Sequence, residues 1–275
     1  MRGLFRFFSR SPLGLLHALG HALGWLVWLV SGAYRARFMA NARQAGQTWS
    51  RIWPAIGHAG AMSAELPRLW LGAPAPVQWS GDAWVEQAYA TGQGVLFLTP
   101  HLGCFEITAQ ALAARFSPQY GALTVLYRPS RHTALAELML SARNRPGLQA
   151  VPTTLAGVRQ MIKALRAGQA VGLLPDQVPP EGMGLWAPFF GRPAYTMTLA
   201  AKLVHQTGAR VVLIWGERLS WGRGYRLHAS ALAQPLSADL TEAVGQINEA
   251  MERLVLTCPS QYLWGYARYK APREA

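Results

Sequence analysis

The sequence predicts an α/β fold, in which a mixed, largely parallel central sheet is flanked by helices and preceded by one N-terminal membrane helix. From about residue 95 onwards, short apolar runs typical of buried strands alternate with longer amphipathic segments. Strands that alternate with helices favour parallel pairing, because each helix carries the chain back across the sheet. An uncharged segment from Ser11 to Tyr34 precedes this region and accounts for the membrane helix.

The apolar core of that segment, Leu13 to Val30, is long enough to cross a membrane as a helix. A helix rises 1.5 Å per residue, so about 20 apolar residues span the roughly 30 Å hydrocarbon layer. Trp25 and Trp28 lie near its end, and Arg35 and Arg37 follow. Aromatic and basic residues in this order are typical of an anchor at the membrane interface.

Two other interpretations of the segment stay open. A cleaved signal peptide has a basic start, which Arg2, Arg6 and Arg10 supply, but its apolar part is usually shorter. A helix lying in the headgroup plane is compatible with the glycines and histidines inside the segment. The first 64 residues contain seven arginines and no acidic residue, so either membrane interpretation favours an anionic surface.

The composition limits the class of protein. The 275 residues fit one α/β domain with an appendage, and 51% hydrophobic against 14% charged residues suggests a membrane-facing surface. The net charge of +13 favours acidic partners such as nucleic acid, anionic lipid or an acidic carrier protein. No nucleic-acid-binding motif is present, and the apolar segment argues against that partner. The two cysteines do not make a disulfide framework.

Proline and small residues at positions 72–76 mark a boundary between an anchoring helical segment, 1–72, and an α/β domain, 73–275. Apolar β-type runs predict strands at Val95–Thr99, Leu123–Leu126, Val171–Leu174 and Arg210–Trp215. Helical patterns predict helices at Glu106–Arg115, Thr133–Arg143, Leu155–Ala167, Thr196–Gln206 and Asp239–Thr257. Asp239 is the expected N-cap of the last of these.

The sharpest chemical signal is a histidine and a glutamate five residues apart, His101 and Glu106. On one helix they would point about 140° apart, so they can meet only if His101 lies in the turn after a strand and Glu106 in the next helix. Gly103 permits such a turn. A carboxylate bonded to one imidazole nitrogen lets the other take a proton from an alcohol. The pattern therefore predicts a general-base pair, with a purely structural His–Glu pair as the alternative.

Polar residues also follow two other predicted strands. Arg128 comes after the strand at 123–126, and Asp176 and Gln177 come after the strand at 171–174. Because ligands collect outside the carboxyl ends of strands in an α/β sheet, the three strand ends predict one convergent site. For Arg128, anion binding or oxyanion stabilisation competes with a structural ion pair to Asp176. For Asp176, substrate orientation competes with helix or loop capping.

Positive charge is concentrated around these motifs. The segment 107–175 holds one acidic residue, Glu137, and eight cations: Arg115, Arg128, Arg131, Arg143, Arg145, Arg159, Lys163 and Arg166. We expect part of this excess to surround the site, with Arg131 and Arg159 contacting substrate, although Arg159 also fits a solvated helix face. No zinc, nucleotide-loop or serine-elbow motif occurs, so we expect neither a metal nor a cofactor.

Taken in order, these motifs resemble the lipid A biosynthesis lauroyl/myristoyl acyltransferases, which share the His-x4-acid motif with glycerolipid acyltransferases. The resemblance covers most of the chain and rests on the N-terminal apolar helix, His101–Glu106, Tyr127-Arg128-Pro129, Pro175-Asp176-Gln177, Ala187-Pro188-Phe189-Phe190, Thr196-x-Thr198, Thr207-Gly208-Ala209 and Pro259-x-Gln261-Tyr262-Leu263-Trp264. The chain departs from the family at Pro100, where Asn is frequent, and at Val178 and Pro179, where a second acid often follows.

The resemblance implies a glycerolipid-acyltransferase-like fold and acyl transfer from acyl carrier protein to a hydroxyl of a lipid A precursor, in lipopolysaccharide biosynthesis. The acceptor is an anionic glycolipid at the cytoplasmic face of the inner membrane. His101 would be the general base, Glu106 its partner, and Arg128 and Asp176 contacts to the substrate or oxyanion. Acylation of another membrane lipid, such as a lysophospholipid or an amino-acid lipid, is one alternative. A non-catalytic lipid-binding protein is the other.

Overall fold

The computed structural model describes residues 2–127, 137–139 and 142–274. Its strands are β1 (Val77–Ser80), β2 (Val95–Leu98), β3 (Leu123–Tyr127), β4 (Leu148–Pro152), β5 (Ala170–Leu173), β6 (Gly184–Phe189), β7 (Arg192–Met197), β8 (Arg210–Arg218) and β9 (Tyr225–Ala231). Its helices are α1 (Arg2–Ser9), α2 (Leu13–Val30), α3 (Gly32–Gln44), α4 (Trp49–Ile52), α5 (Pro54–Ala64), α6 (Leu66–Leu71), α7 (Asp82–Ala90), α8 (Phe105–Tyr120), α9 (Leu155–Arg166), α10 (Leu199–Thr207) and α11 (Leu240–Thr257).

Seven strands form the central sheet in the order β1-β9-β8-β2-β5-β3-β4. All neighbouring pairs run parallel except β8 and β9, which are antiparallel. β6 and β7 form a separate antiparallel hairpin. The predicted fold class, a mixed and largely parallel sheet flanked by helices with an N-terminal apolar helix, is therefore confirmed.

Helices cover both faces of the sheet, as the alternation of side chains along β2 shows. Leu96 and Leu98 belong to a core shared with Trp28, Phe38 and Ile56 of the N-terminal helices. Val95 and Phe97 belong to the opposite core, which α7 and α8 cover. Side chains of a strand point alternately to its two faces, so a strand buried on both sides is apolar throughout. All four residues of β2 are accordingly buried.

The structure contains all four predicted strands, with no end displaced by more than three residues. Asp239 is confirmed as an N-cap, because its side chain accepts a hydrogen bond of 2.8 Å from the Glu242 amide. The helix predicted from Thr196 begins only at Leu199, and Thr196 lies at the end of β7 with its hydroxyl donating to the Ala194 carbonyl. The helix predicted at 133–143 falls mostly outside the described residues.

Five other strands were not predicted: β1, β4, β6, β7 and β9. β1 and β4 are sheet edges, where one side of the strand lacks a partner and the residues are only partly buried. β6 and β7 contain prolines at facing positions, Pro188 and Pro193. Proline is depleted in strands because it cannot donate to the ladder, so its presence hid the hairpin from the sequence pattern.

Candidate active site

Two adjacent strands bring His101 and Asp176 together. β2 and β5 pair in parallel with Leu98 opposite Leu173. His101 follows the first of these leucines by three residues, and Asp176 follows the second by three. Because both residues lie three positions beyond a pair of facing leucines, their side chains come next to each other at the carboxyl edge of the sheet.

The turn that carries His101 is held in place by the last part of the chain. Gly103 has φ +59°, and a Cβ there would lie 2.0 Å from the Gly216 carbonyl oxygen. Only glycine tolerates both the positive φ and the close carbonyl, which agrees with the turn predicted at Gly103. The Gly103 amide donates to the Gln261 carbonyl at 3.0 Å, and the Leu263 amide donates to the His101 carbonyl at 3.2 Å. The histidine backbone is therefore fixed on both sides.

Both carboxylate oxygens of Asp176 bind His101. Oδ1 lies 2.7 Å from the ring Nδ1, and Oδ2 accepts the backbone amide of His101 at 2.8 Å. Burial alone would raise the pKa of Asp176, but the His101 ring, the His101 amide and the Arg268 guanidinium hold it below its ordinary value. An ionised Asp176 requires a proton on Nδ1, so the neutral ring presents a free lone pair at Nε2.

Gln177 contacts that second nitrogen. Its amide Nε2 lies 3.0 Å from the His101 Nε2, where the amide N–H donates to the ring lone pair. A substrate hydroxyl that takes the place of this amide would find Nε2 ready to accept its proton. The ring side chain is 15% exposed, whereas Asp176 behind it is 2% exposed. Access to the imidazole is therefore from the Nε2 side.

Glu106 lies in the first turn of α8, as predicted, but its carboxylate makes different contacts. It accepts hydrogen bonds from the Arg143 guanidinium and from the indole Nε1 of Trp70, the latter at 3.3 Å. The carboxylate hydrogen-bonded to His101 is thus that of Asp176, where the sequence points to Glu106. The reason is that the opposite charge of Arg143 and the Trp70 donor already satisfy the buried Glu106.

His101, Glu106 and Gln177 all line one cavity of about 360 Å³. Most of its remaining wall is apolar and includes Phe97, Phe105, Leu112, Leu123, Val125 and Ile214. Pockets of this kind, with apolar walls and few polar groups, are typical of small-molecule and lipid sites. Arg159 is exposed on α9 and does not line the cavity formed by the described residues. Arg128 and Arg131 lie outside the described residues.

Two site residues escaped the sequence analysis. Arg143 appeared only as one of eight cations, and its spacing from the strand that begins at Leu148 gave no indication of a contact with Glu106. Trp70 carried no signal beyond its aromatic character. Within residues 2–127, 137–139 and 142–274, no three His, Cys, Asp or Glu side chains converge in a way that could hold a metal ion.

A buried ion cluster lies behind the His101 turn; we call Glu65, Arg218, His17 and Tyr225 the Glu65 cluster. Arg218 binds both oxygens of Glu65 at 2.7 and 2.8 Å and donates to the Gly103 carbonyl at 2.7 Å. His17 and Tyr225 contact Glu65 at 3.1 and 2.9 Å. Burial raises the pKa of Glu65, but Arg218 and His17 outweigh this effect and lower it to about 2. Glu65 therefore stays ionised beside Arg218.

Comparison with known proteins identifies the family of the chain. The family model for the bacterial lipid A biosynthesis acyltransferases matches residues 42–271. The lipid A biosynthesis palmitoleoyltransferase of Escherichia coli K12 is 24% identical over 187 residues, which are 68% of this chain and 59% of that protein. The lauroyltransferase of the same strain is 26% identical over 196 residues, 70% of this chain and 62% of that protein.

The lipid A biosynthesis myristoyltransferase of Escherichia coli K12 is 26% identical over 193 residues, which are 68% of this chain and 57% of that protein. The chain thus spans less than two thirds of the length of each of these relatives. The family match covers His101, Glu106, Asp176 and Gln177 together with the whole central sheet. The chain therefore belongs to the bacterial lipid A biosynthesis acyltransferase family.

Proposed function

We propose that the chain is an acyltransferase that moves a fatty acyl group from acyl carrier protein to a hydroxyl of a lipid A precursor. The observation that carries this proposal is the His101 ring, held by Asp176 through Nδ1 and facing an apolar cavity through Nε2. Family membership supports the reaction class. The net charge of +13 suits two acidic substrates, the carrier protein and the phosphorylated glycolipid.

In this mechanism Nε2 of His101 removes the proton from the acceptor hydroxyl as its oxygen attacks the thioester carbonyl carbon. A new C–O bond forms and the C–S bond breaks. The imidazolium then donates its proton to the departing thiolate, which leaves as the thiol. The ionised Asp176 stabilises the transient positive charge on the ring. No protein nucleophile is needed, because the thioester is already activated.

The cationic residues would bind the charged parts of the substrates. Arg143 lines the cavity paired with Glu106, so the pair gives the apolar cavity a polar part of its wall. Arg128 retains its proposed role at the oxyanion or substrate, and Arg131 and Arg159 theirs as contacts to anionic groups. We also propose that the enzyme works at the inner membrane with this site on the cytoplasmic face, where acyl carrier protein is found.

An assay with purified protein tests this function. The protein is incubated with acyl carrier protein thioesters of several chain lengths and an acylated, phosphorylated glucosamine disaccharide. The masses of the lipid products are then measured by mass spectrometry. We expect the disaccharide to gain the mass of one acyl chain. A length series is needed because the relatives are named for three different acyl groups.

Parallel reactions with lysophospholipid and with amino-acid lipid cover the alternatives. A mass gain in one of these lipids, with none in the disaccharide, would contradict the proposed acceptor but keep the reaction class. No gain in any lipid, from protein that still binds them, would point to a non-catalytic lipid-binding protein and contradict the proposal as a whole.

A further inference from the structure

One face of α2 is apolar and exposed. Five residues at intervals of four, four, three and four share this face, and we call them the outer stripe: Leu15, Leu19, Leu23, Leu26 and Val30. Each is between 47% and 73% exposed. By length and composition α2 could cross a membrane. A continuous exposed apolar stripe on a folded protein marks an interaction surface.

The opposite face of α2 is buried along nearly its whole length. Leu16 near its start and Trp28 near its end are 2% and 8% exposed. In between, Gly20 and Gly24 meet α5 backbone to backbone: a Cβ at Gly20 would lie 2.5 Å from the Ala61 Cα, and one at Gly24 2.1 Å from a carbonyl oxygen of α5. Such close approach is possible only for glycine, so α2 is packed into the fold as an integral helix.

The Glu65 cluster ties the same face to the central sheet. His17 projects from α2 onto Glu65, which pairs with Arg218 of β8, and Arg218 holds the Gly103 carbonyl two residues from His101. Separating α2 from the fold would leave a buried charge without part of its hydrogen bonding. The helix therefore keeps its contacts with the α/β body when the protein binds a membrane.

A helix that crosses the bilayer would draw this body into the hydrocarbon layer with it. From Leu13 to Trp28 the body lies alongside α2, a length of roughly 22 Å at 1.5 Å per residue, most of the thickness of the layer. The irregular backbone beside the helix, such as the turn Ser220–Gly222 that meets Gly14, cannot be accommodated there. We propose that α2 lies in the plane of the membrane interface, with the outer stripe inserted among the lipids of one leaflet.

Charges and aromatic residues around α2 fit an anionic lipid surface. The exposed arginines of this region are Arg6, Arg10, Arg35, Arg37, Arg43 and Arg51, and the first acidic residue of the chain is the buried Glu65. Trp221, which is 92% exposed, lies beside the start of α2. Near the end of α2, the ring centroid of Trp49 lies 5.7 Å from that of Trp28. Tryptophan favours the headgroup level, and arginine near the surface binds anionic lipid.

The depth of the outer stripe in a bilayer tests this proposal. Single cysteines at Leu15, Leu19, Leu23, Leu26 and Val30 are spin-labelled in a Cys258→Ser background, and the proteins are reconstituted in vesicles of phosphatidylethanolamine and phosphatidylglycerol. Because Cys104 is buried, we expect it to stay unlabelled, which the unsubstituted Cys258→Ser protein checks. We expect similar depths at all five positions, about 5–10 Å below the headgroups. A label at Leu155, 78% exposed on α9, should stay in water.

A crossing helix would give a different profile. The labels at Leu19 and Leu23 would then be deepest. The label at Leu15 would lie shallower by roughly 6 Å and the label at Val30 by roughly 10 Å, given the helical rise. This profile, or labels that all remain in water, would overturn the proposal. Neither result would bear on the acyl-transfer reaction, which is measured separately.

Vesicle binding of matched variants supplies an independent readout. The double substitution Leu19→Glu and Leu23→Glu lies on the exposed face and leaves the α5 contacts intact, so the protein should fold. We expect it to lower vesicle affinity at least about 100-fold, since each buried leucine is worth roughly a factor of ten or more. Leu155→Glu is the control and should bind like the parent. Equal binding by all three proteins would contradict the proposed surface.

Discussion

Replacement of His101 by alanine is expected to lower the rate of acyl transfer by about 10²–10⁴-fold, the usual contribution of a general base. Without the ring, the variant lacks the Nε2 atom that would take the proton from the acceptor hydroxyl. The side chain is only partly buried and sits in a turn whose backbone is fixed by Gln261 and Leu263. The variant should therefore fold and bind vesicles normally.

The measurement is initial rates with a saturating acyl donor, alongside far-UV circular dichroism and vesicle binding. His205→Ala is a matched control, because His205 is exposed and its ring contacts the Ser237 carbonyl away from the cavity. It should transfer at the parental rate. If the His101 variant retains a rate within a few-fold of the parent, the imidazole is not the base.

The Glu65 cluster gives the largest expected effect on stability. Glu65→Gln or Arg218→Met alone should lower the free energy of unfolding by about 3–5 kcal/mol, because each leaves the other charge buried without its partner. The double variant should recover much of this loss, since both charges are then gone. Urea unfolding followed by tryptophan fluorescence measures all three against the parent.

An exposed ion pair provides the comparison. Glu249 and Arg253 lie 4.0 Å apart on α11 and are half exposed or more, so Glu249→Ala should change the unfolding free energy by less than about 1 kcal/mol. Additive losses in the double variant, or single losses no larger than that of Glu249→Ala, would show that the buried pair is not coupled as the distances indicate.

The same cluster predicts an acid dependence of stability. The pKa of Glu65 falls from 4.5 to about 2 on folding, so its ionised form stabilises the folded state above pH 4.5. This contribution is lost as the pH falls from about 4.5 towards 2, because the unfolded chain takes up the proton first. Glu65→Gln has no proton to take up, so its unfolding free energy should fall less steeply over that interval.

The sequence predicted the position of His101 because the information was local. A four-residue apolar strand, a glycine that allows positive φ and a helix start all lie within twelve residues, 95–106. It also predicted that strand ends would converge, which is a general property of parallel sheets. For β2 and β5 the structure confirms this, and the pairing of Leu98 with Leu173 explains how.

The partner of His101 could not be predicted because it depends on which strands are neighbours. The sequence places Glu106 five residues away and Asp176 75 residues away, and nothing in the pattern of strands says that β5 lies next to β2. The Glu65–Arg218 pair is likewise separated by 153 residues. Long-range ion pairs follow from the folded topology, whereas strands, turns and caps follow from neighbouring residues.

The pH dependence of kcat/KM in two variants tests most directly whether Asp176 holds the ring that we propose as the general base. His101 donates two hydrogen bonds to the two carboxylate oxygens of Asp176. The substitution Asp176→Asn leaves a single oxygen to accept both bonds. It also removes the negative charge that stabilises the imidazolium. We expect lower activity and an acid limb whose midpoint moves to lower pH. Glu106→Gln should leave that midpoint near the parental value. A shifted midpoint in Glu106→Gln with an unchanged one in Asp176→Asn would contradict the account.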